Sequence, residues 1–552
     1  MMLKNPSGAW SFSKALVSRS WITSTLPPGG CQVNATGRTA ARTLTSCRRT
    51  GIPLDFQSMR RLVVILSLFL GLGCAATPVS GEPAKTLEQL VKDQVKKSGA
   101  KSSLVGIAVI GHKGKPFVLL NADKPLKPAS NMKILTTVTG LELLGADHQY
   151  STRIISTGDL EKGIIAGDVI VRGTGDPNIS GRFHDDDPVF LFRQWARKLK
   201  DLGIREISGN LVADDSYFDN VRFLAGWNPK DRGKPFSAQV SPLSLNDNCV
   251  EIRVVPGAVG KPSKVEVSPA SSFITVSGAP GTVSGKKATV IARSVDGKKI
   301  SMKGTIGTGV KEWSSGPIAI DDPALFFVHS FAAVLKKEDI KLRGDIVRLG
   351  EADVPGGGSV PGKTVSAVEK ILLEHNSRLE VDIPVINKGS QNLHAELLLK
   401  TVGKKIKGEG SVAGGGKAVS RMLDNLGIEK KGLVVADGSG LSHNNRVTAR
   451  QLVSILNGVR SKPYYELFWK SLPVAGVDGT LKKRFTSKKS LVGNVFAKTG
   501  YIRGVSALSG FVRKGKTVWS FSILCNSFPG KSLSEAKALQ EDIVKILHSS
   551  MP

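Results

Sequence analysis

The only strongly apolar run in the chain, Leu62 to Leu72, is eleven residues long, and that length decides what the rest can be. A helix crossing a bilayer needs roughly 20 apolar residues. The run instead reads as the h-region of a secretory signal peptide, with Arg60 and Arg61 as its positive n-region. The chain beyond this run must fold outside a membrane, as an exported protein. The 552 residues suggest about three to four domains at about 150 residues each. A 40% hydrophobic share is too high for a disordered chain.

The 58 residues before Met59 are rich in Ser, Thr and Arg and hold one acid, Asp55. They read either as an organellar transit peptide or as a non-native or unstructured leader upstream of a true start at Met59, and the second reading is preferred. Residues 59–75 are then the signal. Cys74 follows Gly73, so a lipid anchor on Cys74 is one reading of the cleavage site. Ordinary cleavage near Ala75 or Ala76 is the other, because Gly71 stands where a lipobox usually has Leu.

Beyond residue 75 the chain keeps 68 basic and 45 acidic residues, a formal charge of +23. The lysines and arginines are spread along the sequence, without the arm or aromatic-interleaved stripe of a nucleic-acid binder. The charge is read as attraction to cell-wall polyanions and anionic membrane surfaces. Cys249 and Cys525 are the only cysteines beyond the leader, too few for a disulfide scaffold; they are two buried thiols or one bridge.

Residues 85–98 pattern as an amphipathic helix, and SLVGIAVIGHKGKPFVLLNA as two strands around a Lys-Gly turn. A helix runs from Pro128 to Gly145. Residues 251–314 alternate Val, Ser, Gly and Lys and read as a small all-β unit. Helical patterning returns at DDPALFFVHSFAAVLKKE and again beyond the loop VPGGGSVPG. VSALSGFV and TVWSFSILCN read as a hairpin of edge strands, and SLSEAKALQEDIVKIL as a closing helix.

Ser130 and Lys133 lie three apart, a spacing that puts hydroxyl and amine on one helix face. The same spacing recurs at Ser11, Ser98, Ser284 and Ser534, so alone it means little. Ser130 is distinguished by Ser390-Gln391-Asn392 at the start of a helical run and by the chain's only K-T-G, Lys498-Thr499-Gly500. A serine needs a neighbouring base, and a lysine is a base only when burial or a second cation keeps it neutral. Lys498 supplies that cation. Ser390 can bridge the lysines and pass a proton to a leaving amine, while Asn392 can hold a substrate backbone and orient Lys133. Thr499 suits a terminal carboxylate, and Gly500 lets an edge strand lie close to substrate. Backbone N–H groups of Ser130 and Tyr501 suit an acyl oxyanion.

This trio resembles the signature of penicillin-binding proteins and class A β-lactamases. The phrases PASNMKILTTVTGLELLG, GDVIVRGTGDPNIS, SPLSLNDNCV, DGSGLSHNNR, LPVAGVDGTLKKRF and AKTGYIRGVSALSGFV extend the resemblance from about residue 84 to the C-terminus. Together they resemble the class C, penicillin-binding protein 4-like D-alanyl-D-alanine carboxypeptidases and endopeptidases. The resemblance implies an α/β (α+β) fold: a serine β-lactamase/transpeptidase-like domain split in sequence (84–150 and 381–552). A large inserted domain (151–250 and 315–380) would carry the nested β domain 251–314. It also implies cofactor-free acyl-enzyme chemistry on Ser130 with peptidoglycan stem peptides, and β-lactams as covalent inhibitors. The expected location is periplasmic or cell-envelope.

Some positions depart from the family pattern. Gln391 stands where Asp is common; His443 and Arg503 stand where relatives often have Arg and Gln. With Asp214 and Phe218 they resemble positions that contact the third residue of the stem peptide, though Asp214 is equally readable as a turn acid. Gly357-x-x-x-x-Gly362-Lys363-Thr364 matches a phosphate-binding loop, but Pro361 removes a needed N–H and Glu351 and Asp353 repel phosphate. It is read as an inter-domain loop. The eight histidines are scattered, with no H-E-x-x-H, so no metal site is expected. The rival readings are a β-lactamase, which lacks an E-x-x-L-N segment here, and a catalytically silent cell-wall-binding scaffold. The insertion 151–380, lacking every core motif, is expected to shape access and wall contact.

Overall fold

Two strands from the start of the folded chain and three from its end close into one antiparallel sheet. A computed structural model describes residues 85–111, 114–294, 296–349, 369–526 and 533–552. The leader, the signal, Cys74 and the loop at 357–364 lie outside the described residues. In the sheet the order is Pro116–Leu120, Val105–Ile110, Thr517–Asn526, Val505–Lys514, Val495–Ile502. The hairpin expected of VSALSGFV and TVWSFSILCN is present, but its strands are interior ones. The edge belongs to Val495–Ile502, which carries K-T-G. The sequence explains the difference: both hairpin strands bury residues on both faces, as interior strands must.

Side-chain alternation sorts these strands between two cores. Val105, Ile107, Val109, Leu508, Phe521, Ile523 and Cys525 face the helices Leu87–Lys97 and Leu533–Ser549. Ala108, Ala507, Phe511 and Leu524 face the opposite way, toward a layer of helices. That layer comprises Met132–Leu144, Leu379–Lys388, Asn392–Lys407, Val412–Asn425, Ala449–Gly458 and Tyr465–Ser471. Cys249 packs elsewhere, with Ala238 and Ala319; both thiols are free and buried, so the bridge reading is excluded.

Between Gly145 and Leu379 the chain leaves this layer. It builds a mixed five-stranded sheet in the order Ile346–Arg348, Leu211–Asp214, Val169–Gly173, Gln149–Ser156, Lys370–Arg378. Helices Phe190–Asp201 and Pro323–Lys337 pack with it. The β-rich stretch runs from Cys249 to Ala319. Its Val250, Ile252, Val254, Ile300 and Met302 belong to the same apolar cluster as Ile154, Phe192, Trp195 and Phe327. These strands and the five-stranded sheet therefore share a core. The architecture is mixed α/β, and no described helix is long and apolar enough to cross a membrane.

Candidate active site

Ser130 lies in a tight turn, Ala129–Asn131, that feeds directly into the helix Met132–Leu144. Ala129 is held at φ 47, a left-handed backbone that a residue other than glycine adopts at a cost. One helical turn on, Lys133 is completely buried. Its Nζ lies 3.0 Å from Ser130 Oγ, 2.6 Å from Asn392 Oδ1 and 2.8 Å from the Ser439 carbonyl oxygen. A neutral amine has two N–H donors and one lone pair. Asn392 and Ser439 can accept the two N–H groups, which leaves the lone pair to accept the Ser130 hydroxyl proton.

Burial lowers Lys133 to about 7, against the opposing pull of Glu396 and Asp437. Lys498, equally buried, is pushed well below the ordinary amine value, first by burial and then by the charge of Lys133. Lys498 thus lies lower than the sequence suggests for the lysine that must carry charge. Its Nζ donates to Ser390 Oγ at 2.9 Å and to the Thr499 carbonyl at 3.0 Å.

Ser390 has φ 58, and the helix Asn392–Lys407 starts two residues later. Its hydroxyl is bonded to Lys498, while Lys133 is bonded through Asn392. The Asn392 amide donates its N–H to the Phe236 carbonyl at 2.6 Å. Lys498, Thr499 and Gly500 sit on the edge strand, whose outer side is covered by Val474 at Phe496. The Thr499 hydroxyl meets Thr480 at 2.7 Å. A Cβ on Gly500 would lie 2.8 Å from the Pro128 carbonyl, so glycine lets this strand press against the nucleophile turn. Asn131 ties the two together by donating to the Lys498 carbonyl at 3.0 Å.

Sequence reasoning missed a supporting loop, 437–442. Glu396, one turn beyond Asn392 on the same helix, accepts the N–H groups of Gly438 and Ser439 at 2.7 and 2.8 Å, which aims the Ser439 carbonyl at Lys133. Burial and the neighbouring Asp437 raise the Glu396 carboxyl, while the N–H groups of Gly438 and Ser439 pull it back toward ionisation. Asp437 accepts from Gly440, Ser442, Asn445 and the Trp227 indole. The phrase DGSGLS held this signal, since an acid followed by two glycines suits a loop folded over its own carboxylate.

The remaining residues lie in varied settings. Tyr501 and Arg503 are exposed at the end of the edge strand. His443 is half-buried beyond the 437–442 loop, lowered by burial and by Lys127 and Arg446. Phe218 is buried with Trp227, Leu393 and Leu397. Asp214 is buried, paired with Arg172 at 2.5 Å, and accepts from the Ser216 N–H and hydroxyl. That is the turn-acid arrangement. Among the described residues no group of His, Cys, Asp and Glu could hold a metal ion.

Residues 84–550 match the model of the D-Ala-D-Ala carboxypeptidase 3 (S13) family. A D-alanyl-D-alanine carboxypeptidase of Actinomadura sp. strain R39 is 31% identical over 509 residues, spanning 88% of this chain and 89% of the relative. The D-alanyl-D-alanine carboxypeptidase DacB of Haemophilus influenzae is 27% identical, spanning 72% and 79%. The crystal structure of penicillin-binding protein 4 from that organism superposes with a TM-score of 0.68, covering 83% of this chain and 99% of that one at 23% identity. The chain belongs to the S13 family of D-Ala-D-Ala carboxypeptidases.

Proposed function

We propose that the protein is an exported serine-type D-Ala-D-Ala carboxypeptidase, acting also as an endopeptidase on peptidoglycan cross-links, with Ser130 as its nucleophile. The observation that carries this is the buried Lys133 amine, 3.0 Å from Ser130 and lowered to about 7. Lys133 takes the hydroxyl proton as Ser130 Oγ attacks the carbonyl of the penultimate D-alanine. Backbone N–H groups of Ser130 and Tyr501 receive the oxyanion. The substrate's C-terminal carboxylate lies by Thr499 and Lys498 along the edge strand. Arriving there, it opposes the burial that discharges Lys498 and restores its ammonium. Ser390, hydrogen-bonded to Lys498, passes to the leaving D-alanine amine the proton that Lys133 took from Ser130, so that both lysines end the step as they began it. Water then hydrolyses the acyl-enzyme.

β-Lactams acylate the same serine; a β-lactam complex has been solved for the Haemophilus protein. We place Gly500 and Tyr501 beside the peptide backbone and His443, Arg503, Phe218 and Asp214 around its third residue. In this reading Asp214 acts with Arg172 as a pair. We assign residues 84–150 and 381–552 to the catalytic domain, 151–250 and 315–380 to the insertion, and 251–314 to the nested β unit. The signal read at 59–75 places the protein in the periplasm or envelope, and its charge favours the membrane surface.

The test is labelling with a fluorescent penicillin, with release of D-alanine from a pentapeptide ending in D-Ala-D-Ala measured alongside. Ser130→Ala abolishes both, whereas Ser98→Ala and Ser534→Ala change little. Persistent labelling of Ser130→Ala would overturn the assignment.

A further inference from the structure

The second motif is gripped from the insertion. Asp247 sits in a run of three left-handed residues, Asn246, Asp247 and Asn248, at φ 51, 56 and 53. Three consecutive non-glycine residues in that region are costly and persist only where the surroundings fix them. The Asn248 side chain does so, accepting from the Leu245 N–H at 3.1 Å and donating to the Gln239 carbonyl at 2.8 Å and to Ser244 Oγ at 3.1 Å. The Asp247 carboxylate is thereby aimed at the start of the helix Asn392–Lys407.

There it meets three partners. Gln391 Nε2 donates to Oδ2 at 2.9 Å. Arg182, also from the insertion, pairs with the same oxygen. His394 Nε2 lies 3.0 Å from Oδ1. The opposite ring nitrogen of His394 lies 2.6 Å from Asp382 Oδ1, and Asp382 Oδ2 accepts from the Tyr150 hydroxyl at 3.0 Å. Gln391 and His394 flank Asn392, and Gln391 follows Ser390.

We infer that Asp247 is a positioning residue for acylation. By holding Gln391 and His394 it fixes Ser390 against Lys498 and Asn392 against Lys133. Together with the Phe236 carbonyl, which holds the Asn392 amide, it makes the insertion part of the apparatus that sets the two lysines. This also accounts for Gln391: a carboxylate at that residue would face the Asp247 carboxylate, whereas an amide donates to it. The inference rests on Ser130 being the acylated residue.

The test exchanges the amide–carboxylate pair without changing its size. Gln391→Glu opposes two carboxylates, with Arg182 and His394 as the neighbouring cations, Asp382 behind His394, and Lys498 and Lys133 reached through Ser390 and Asn392. The measured quantity is the second-order rate of acylation by penicillin from pH 5 to 9, relative to wild type. At low pH the introduced carboxyl, while protonated, can still donate to Asp247, so Gln391→Glu should acylate within about threefold of wild type. As pH rises and that carboxyl ionises, the relative rate should fall by about tenfold or more. The double variant Gln391→Glu/Asp247→Asn, in which the new amide donates to the new carboxylate, should recover most of that loss and its pH dependence. A wild type that does not acylate at Ser130 defeats the functional proposal itself. A wild type that acylates normally, with Gln391→Glu parallel to it at every pH or the double variant unrecovered despite an unchanged melting temperature, overturns the positioning role alone.

Discussion

Lys133 and Lys498 enter the site as two completely buried amines with opposite electrostatic surroundings. Glu396 and Asp437 stand by Lys133 and favour its charge, while Lys498 feels the like charge of Lys133 itself. Like charges that close cannot both persist in a buried site, so protonation of one lysine lowers the other. Bringing an anionic substrate to Lys498 therefore does two things. In the proposed mechanism it charges Lys498 and, through that charge, frees Lys133 to act as base.

Arginine separates the two roles. Lys133→Arg places a guanidinium that stays protonated in a pocket already filled by Ser130, Asn392 and Ser439. Penicillin acylation should fall by about a thousandfold or more, the scale of a lost general base. Lys498→Arg keeps a cation for the substrate carboxylate with a bulkier head, and should lose about tenfold to a hundredfold. Equal acylation rates in the two variants would show that Lys133 is not the base.

The pH dependence follows from the sign of the Lys133 shift. The reactive form is the neutral amine, and burial brings its ionisation down to about 7. Acylation should climb roughly tenfold per pH unit below that point and level off above it. Glu396 raises Lys133, so Glu396→Gln should move this rise to lower pH. A single amide oxygen also cannot replace both carboxylate oxygens that accept from Gly438 and Ser439, and the plateau rate should drop about tenfold. A rise displaced to higher pH would contradict the assigned electrostatics.

How much of this was legible in the sequence depended on how local each cause is. Ser130, Lys133, Ser390, Asn392 and Lys498 were readable as neighbours, because nucleophilic serine chemistry calls for those side chains in short motifs. The nucleophile helix was readable because its burial pattern and Gly145 are local. The hairpin's place in its sheet was not: VSALSGFV looks like a half-exposed strand until Thr517–Asn526 and Val495–Ile502 flank it and the two helical layers cover its faces. Glu396 and Asp247 were also illegible as partners of the motifs. Each acts through bonds to residues far along the chain, from Glu396 to Ser439 and from Asp247 to Gln391. Asp214 was readable only as either a ligand or a turn acid, because its partners Arg172 and Ser216 are set by the fold and not by its own phrase.

Two glycines offer a stability test that separates the supporting loop from ordinary helix. Gly440 has φ +82, and a Cβ built there lies 1.8 Å from the Ala129 carbonyl oxygen, immediately before the nucleophile. Neither the rigid turn nor the loop, with Asp437 holding the N–H groups of Gly440 and Ser442, can retreat without moving Ser130 or Ser439. Gly440→Ala should lower stability by at least about 2 kcal/mol through strain and overlap. Because Ser439 is its neighbour, it should also slow acylation in whatever fraction remains folded. Gly416 lies inside the helix Val412–Asn425 with a negative φ, and a Cβ there would make ordinary contact with Val435 at 3.6 Å. Gly416→Ala should raise stability by about 0.5–1 kcal/mol, since alanine loses less backbone freedom in a helix. Thermal melting and penicillin labelling of both variants check this. A Gly440→Ala protein as stable and as quickly acylated as Gly416→Ala would mean that the 437–442 loop does not brace the nucleophile.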